Sequence, residues 1–211
     1  MSTLYPLFLN LQRRVCVVVG GSAMAEGKIR KLLEADANVR VIAPVVTEPV
    51  AEWSETGRLQ WVARVYERGD VRDAFLVVCV ADAETNARVF EEAEALQTFC
   101  NAVDDMDHCN CYASAVVRRG PLQIAISTAG KSPALAQRLR KELEERFGEE
   151  YAGWVSSLGE VRSRLFQDKG LDGETRRRIL HEQATASAFE SFRDSLKADG
   201  NRQKSGDDSE G

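Results

Sequence analysis

The sequence predicts an α/β chain built on a doubly wound parallel sheet and finished by helices, and three observations predict it. Short, near-continuous apolar runs alternate with helical stretches from Arg14 to about Val103. A glycine-rich turn stands where the first of these runs gives way to the first helical stretch. After Asp107 the pattern changes to a hairpin followed by helices. Strands buried on both faces read as continuous apolar runs rather than as alternating ones, and strands separated by helical crossovers read as a parallel sheet.

In chain order the strands are Val15–Val19, Val39–Ala43, Leu59–Ala63, Phe75–Val80 and Thr98–Val103. Between them Met24–Glu34, Val46–Thr56 and Glu84–Ala95 hold enough Ala, Glu and Leu for crossover helices. Tyr112–Arg118 and Leu122–Ser127 form two strands joined by a Gly120-Pro121 turn. The next helix opens at Ser132-Pro133, with serine as N-cap and proline in the first helical position, and Gly148 stops it after Phe147. Trp154, Leu158, Val161 and Leu165 recur on one helical face, as do Phe189, Phe192 and Leu196. From Asp199 the chain carries no apolar residue, which predicts a disordered tail.

At ~150 residues per domain, 211 residues allow one large domain or a core with an appendage. With Lys+Arg 28 and Asp+Glu 33 the net charge is −5, which argues against a nucleic-acid partner, because phosphate neutralisation supplies most of that affinity. No apolar run approaches the ~20 residues of a membrane helix, and the longest, Ala74 to Ala81, fits a buried strand. Arg13 and Arg14 follow the N-terminal apolar stretch, the wrong polarity for a secretory signal. Five cysteines, three of them within strand-like runs, read as reduced thiols and predict a cytoplasmic protein.

Strand one ends in Val19-Gly20-Gly21-Ser22-Ala23-Met24-Ala25. The spacing is that of a dinucleotide fingerprint, with Ser22 in place of the middle glycine and Ala25 last. The chemistry wants small residues for a tight turn, for close approach of backbone to pyrophosphate, and for a helix N-terminus with free N–H groups. The context of strand before and helix after favours a nucleotide over a ligand-free glycine turn. Sites at the carboxyl ends of strands one, two and four are the expected cofactor contacts: Gly20, Gly21, Ser22, Ala23, Met24, Ala43, Pro44, Ala81 and Asp82. No acidic residue ends strand two to hold a ribose, and no basic residue directly follows Ala43 to take a 2′-phosphate. NAD is therefore preferred to NADP. Arg40, inside that strand, reads as a sheet-edge or solvent contact.

Strand five leads into Asp104-Asp105-Met106-Asp107-His108-Cys109. Asp104 falls just past the strand, beside the expected nucleotide crevice, where a carboxylate could handle protons or grip a divalent metal; the alternative is a solvated acidic turn. The spacing of Asp107, His108, Cys109 and Cys111 matches no structural zinc pattern. From Arg118 to Lys141 there are Arg118, Arg119, Lys131, Arg138, Arg140 and Lys141 with no Asp or Glu. With Ser127, Thr128, Lys131 and Ser132 at the mouth of a helix, that stretch reads as an anion site, or else as a basic helix face opposite an acidic partner. Gly130-Lys131-Ser132 imitates the end of a P-loop, but Ala125 stands where its first glycine belongs.

At these residues the chain resembles the precorrin-2 dehydrogenase / sirohydrochlorin ferrochelatase family of sirohaem synthesis. The resemblance runs through Tyr5-Pro6-Leu7-Phe8-Leu9, Val18-Val19-Gly20-Gly21, Ala25, Lys28, Val41-Ile42-Ala43-Pro44, Asn101-Ala102-Val103-Asp104-Asp105 and Arg119-Gly120-Pro121-Leu122 through Ser127-Thr128. Its most specific block is Gly130-Lys131-Ser132-Pro133-Ala134-Leu135-Ala136-Gln137-Arg138-Leu139-Arg140. The resemblance implies a Rossmann-type sheet over 1–111, a strand-plus-helix dimerisation and substrate-binding region over 112–148, an α-helical domain over 149–197, and a tail over 198–211. It implies NAD-dependent oxidation of precorrin-2 to sirohydrochlorin in a homodimer, with ferrous iron insertion a second activity of some members and iron then a substrate. The catalytic residue it implies is Asp104, which would also serve the metal. The tetrapyrrole, rich in carboxylates, would be held between the Asp104 loop and the basic segment by Ser127, Thr128, Lys131, Ser132 and Arg138. Ser22, Gly27, Ala81 and Ser114 depart from the family's habit, while Asp82 and Asn86 match it. The alternatives are an NAD(H)-sensing regulatory module without catalysis and an unrelated oxidoreductase acting on a phosphorylated substrate; the second leaves the Ser127 to Arg140 block unexplained.

Overall fold

The computed structural model describes residues 4–207, which divide into two compact units, one up to residue 113 and one from residue 114. In the first unit five strands, β1 (Val15–Val19), β2 (Asn38–Ile42), β3 (Gln60–Val62), β4 (Leu76–Cys79) and β5 (Phe99–Ala102), form one sheet in the order β3-β2-β1-β4-β5. Every neighbouring pair is parallel. Helices α1 (Ala23–Glu34), α2 (Glu48–Glu55) and α3 (Ala83–Ala95) supply three of the four crossovers. Sequence and structure agree on all eight elements, with ends that differ by one or two residues.

The period-two alternation of β1 divides the core between the two faces of the sheet. Cys16 and Val18 pack with Ala25, Ile29 and Leu32 of α1 and Val50 of α2. Val17 and Val19 pack with Val89 and Ala93 of α3 and with Tyr66 and Val71. The last two belong to the β3–β4 crossover, residues 63–75, which is not helical. Polar groups fix it instead: Arg40 grips Asp73 at 2.8 and 2.9 Å, Arg64 grips Asp70 at 2.7 Å through both nitrogens, and buried Glu92 accepts from the Tyr66 hydroxyl and from the Gly69 N–H. The Arg40 expected as a sheet-edge or solvent contact is one end of this network.

The second unit opens with the antiparallel hairpin β6 (Ala115–Arg119) and β7 (Leu122–Ile126), turned at Gly120 with φ 53°. Helix α4 (Pro133–Arg146) packs on β6, and Ser132 caps it by accepting from the Leu135 N–H at 3.2 Å. Then come α5 (Glu150–Gln167), α6 (Gly173–Gln183) and α7 (Ala186–Asp207). Tyr151 and Trp154 of α5 stack on Phe189 of α7 at ring-centroid distances of 4.3 and 4.9 Å. Helix α6 is not among the expected elements, and α7 runs beyond residue 198, where a disordered tail is expected. An established helix adds polar residues at little cost, since propagation fixes one residue per hydrogen bond. Residues 208–211 of that expected tail lie outside the described residues. No helix among the described residues is long and apolar enough to cross a membrane.

Candidate nucleotide and acid–base site

The strand order reverses between β1 and β4, and in open α/β sheets ligands bind at the carboxyl ends of strands where that happens. Gly20 sits there. Its φ of 122° is open to glycine alone, and a Cβ on it would run into the Val80 carbonyl oxygen at the end of β4. Its N–H donates to the Ile42 carbonyl at 2.9 Å, which ties the turn to the end of β2. A Cβ on Gly21 would run into the Val45 carbonyl oxygen. The two glycines thus let the turn pack directly against the carbonyls that follow β4 and β2, the tight strand-to-helix turn that the first glycine of a dinucleotide fingerprint serves.

Ser22 needs no left-handed backbone: its φ is −70°, and its hydroxyl oxygen accepts from the Ala25 N–H at 3.4 Å as the N-cap of α1. The missing middle glycine therefore costs the turn nothing, and the hydroxyl proton stays free to donate. Ala23 and Met24 are exposed in the first turn of α1. Ala43 is buried, and its carbonyl accepts from the Trp61 indole at 2.9 Å; Pro44 beside it is exposed. At the end of β4, Ala81 is half-buried and Asp82 caps α3, accepting from the Thr85 N–H at 2.9 Å. That hydrogen bond is the main reason its carboxyl lies below the usual aspartate range.

Asp104 follows β5 with φ 61° and an exposed side chain. Its neighbour Asp105 turns inward. One Asp105 oxygen meets His108 Nδ1 at 2.8 Å and accepts from Asn86 Nδ2 of α3 at 3.3 Å. Lys28, half-buried on α1, lies within electrostatic reach of Asp104; burial and then Lys31 lower its pKa, and the Asp104 charge works the other way. In sequence Lys28 and Asn86 carry only the family resemblance, with nothing local to place them in the site. Their signal is a polar residue on or beside the buried stripe of a helix, which gains meaning only when the loop after β5 is brought to it. Among the described residues no three His, Cys, Asp or Glu side chains gather as a metal-binding group.

In the second unit the 127–132 loop forms a separate candidate anion site. Ala129 and Gly130 take consecutive left-handed conformations, φ 50° and 76°. Ser127 Oγ accepts from the Ala129 N–H and Thr128 Oγ1 from the Ser132 N–H, both at 3.1 Å. All three hydroxyls, Ser132 included, act as acceptors, so each keeps a proton to donate to an anion. Lys131 is exposed beside them. Arg138 is less available than the sequence suggests, because Glu142, one residue past the acid-free stretch, pairs with it at 3.2 Å. Arg140 pairs likewise with Glu144. Arg119 points away from any ligand role: its guanidinium donates to the Phe147 and Glu144 carbonyls at 2.7 and 2.8 Å, closing the end of α4.

Residues 7–115 match a family model described as "Putative NAD(P)-binding", and residues 119–146 match one described as "Sirohaem biosynthesis protein central". The siroheme synthase of Actinobacillus succinogenes is 33% identical over 162 residues, 76% of this chain and 34% of that protein. That of Photobacterium profundum is 35% identical over 161 residues, again 76% and 34%. A siroheme synthase of Neisseria meningitidis is 40% identical over 141 residues, 66% of this chain and 29% of the relative. The chain thus spans about a third of the length of the curated relatives it matches. Among solved structures, one named "SirC, precorrin-2 dehydrogenase" superposes with a TM-score of 0.71 at 23% identity, covering 92% of this chain and all of the other, and so shares the fold.

Proposed function

The chain belongs to the NAD(P)-binding family of sirohaem biosynthesis proteins, and from that premise we propose that it oxidises precorrin-2 to sirohydrochlorin with NAD. The observation that carries the reading is one unit holding both a tight glycine turn that opens a helix at the switch point, Gly20 and Gly21, and an exposed carboxylate, Asp104, two strands away. The reaction removes two hydrogens from the substrate, one as hydride and one as a proton. NAD, when bound, supplies the hydride acceptor. Gly20 and Gly21 admit its pyrophosphate, the N-terminal N–H groups of α1 with the Ser22 hydroxyl hold it, and Met24, Ala43, Pro44, Ala81 and Asp82 line its approach.

Asp104 takes the proton, with Lys28 within electrostatic reach of it. The 127–132 loop of the second unit binds substrate carboxylates through Ser127, Thr128, Ser132 and Lys131, with Arg138 held on Glu142 until a stronger anion displaces it. A homodimer and a cytoplasmic location are part of the same reading. The β6–β7 sheet supports the first, since neither outer edge pairs with another strand among the described residues and an unpaired edge is a template for a strand of a second copy. Five free cysteines support the second. Ferrous iron insertion into sirohydrochlorin is a second activity of the reading, with Asp104 receiving the iron. An insertion rate equal to the spontaneous one removes it.

The test is anaerobic incubation of enzymatically made precorrin-2 with NAD and the purified chain, following NADH absorbance. NADH should appear in step with loss of precorrin-2. A chain that binds NAD yet yields no NADH would instead be a sensing module.

A further inference from the structure

Asp104 stands on a turn with few means of its own to hold one geometry. Its backbone is left-handed, its side chain is exposed, and the residues that follow, Met106–His108, make only a single 3₁₀ turn. The next carboxylate supplies the hold. Asp105 Oδ2 is shared by His108 Nδ1 at 2.8 Å, from the far end of the turn, and by Asn86 Nδ2 at 3.3 Å, from the first turns of α3. An ionised carboxylate only accepts, so Nδ1 carries the imidazole proton and the Asn86 amide presents its nitrogen. The hydrogen bond from His108, above all, holds the Asp105 carboxyl below the usual range, so it is ionised at neutral pH. The His108 ring is fixed in turn by an edge contact with Phe90 of α3 at 5.7 Å.

Asn86 is a costly residue for this place. It is 3% exposed, and its Oδ1 is buried without a hydrogen-bond partner. An orphaned buried oxygen destabilises a fold, so an aliphatic side chain would serve packing alone better. What Asn86 provides is one donor aimed at Asp105.

We propose that Asp105, His108 and Asn86 form a clamp that positions Asp104 for proton transfer, Asp105 and His108 acting as positioning residues that need touch neither substrate nor cofactor. The proposal rests on the reading of Asp104 as the acid–base group. A clamp of this kind acts on kcat, because a carboxylate free to swing is rarely in the reactive geometry, whereas the turn at Gly20 and Gly21 and the 127–132 loop bind as before.

Asp105→Ala and His108→Phe test it, the phenylalanine keeping the edge contact with Phe90 while removing Nδ1. Each should lower kcat about tenfold, with KM for NAD and for precorrin-2 within about twofold and the urea midpoint little changed. Asp105→Asn, which keeps an acceptor oxygen, should recover part of the loss. Amide hydrogen exchange over residues 103–109 should quicken in the alanine variant. Unchanged kcat with unchanged exchange overturns the clamp, as does a kcat loss that merely tracks lost stability. If the wild type binds NAD without turnover, the acid–base reading fails by itself. Exchange then decides whether Asp105 holds the turn, quickening supporting the clamp and no change overturning it.

Discussion

At Gly20 both features of the position, φ 122° and the Val80 carbonyl oxygen where a Cβ would stand, exclude every other residue. Gly20→Ala is expected to cost at least about 2 kcal/mol in urea unfolding and to abolish NAD binding by calorimetry. Asp104 calls for a different substitution. Because its φ is 61°, alanine would change backbone strain together with charge, whereas asparagine tolerates the left-handed region as well as aspartate does. Asp104→Asn should therefore lower turnover by roughly 10²-fold or more while leaving the NAD dissociation constant and the unfolding midpoint near wild type. Residues of this kind are legible in sequence because each is marked locally, a glycine between strand and helix or an acid just past a strand. Asn86 is not, since its partner Asp105 lies 19 positions away and only the pairing of β4 with β5 brings the two together. Arg138 misleads for a related reason: an acid-free window hides a Glu142 that sits one helical turn on.

Among elements, α4 depends on a residue outside itself. Arg119 of β6, whose side chain is 13% exposed, donates to the Glu144 carbonyl in the last turn of α4 and to the Phe147 carbonyl just past its end. Arg119→Met strands those acceptors and should destabilise the second unit by about 2 kcal/mol, read as a lower midpoint in its unfolding. Arg119→Lys should recover little, because a single ammonium cannot reach both carbonyls as the guanidinium fork does. The β3–β4 crossover adds a pH dependence. Hydrogen bonds from Arg64 and from Arg40 hold the Asp70 and Asp73 carboxyls below their usual range. Their folded values lie under their unfolded ones, so their contribution is present at neutral pH and is lost as pH falls through the carboxylate range. Asp70→Asn should accordingly lower stability at pH 7 and flatten its fall on acidification, followed by circular dichroism. The strands and crossover helices were legible because β-branched runs and Ala, Glu and Leu alternate with little ambiguity. Helix α6 was not, since Gly173–Gln183 offers only Ile179 and Leu180 as apolar anchors. Its one local mark is the Asp172 cap, which accepts from the Glu174 and Thr175 N–H groups at 2.8 Å.

For the molecule as a whole, the division after residue 113 separates two chemistries as well as two cores. The glycine turn proposed for the nucleotide, Lys28 and the proposed Asp104 clamp all belong to the unit that ends at residue 113, and the candidate anion loop and α4 to the unit that begins at 114. The first unit has a complete parallel sheet with both faces covered, by α1 and α2 on one side and by α3 and the Tyr66 segment on the other. A sheet covered in that way needs no second unit to bury its apolar surface, and about 110 residues suffice for an independent domain. A fragment of residues 1–113 should therefore unfold in one cooperative transition and bind NAD within about threefold of the full chain, a difference of under about 1 kcal/mol. It should produce no NADH from precorrin-2, because the loop assigned to the substrate carboxylates is gone. Calorimetric titration with NAD and the anaerobic NADH assay separate the two statements. A tenfold loss of NAD affinity would mean that residues beyond 113 complete the nucleotide site, and turnover by the fragment would remove Ser127, Thr128 and Lys131 from substrate binding.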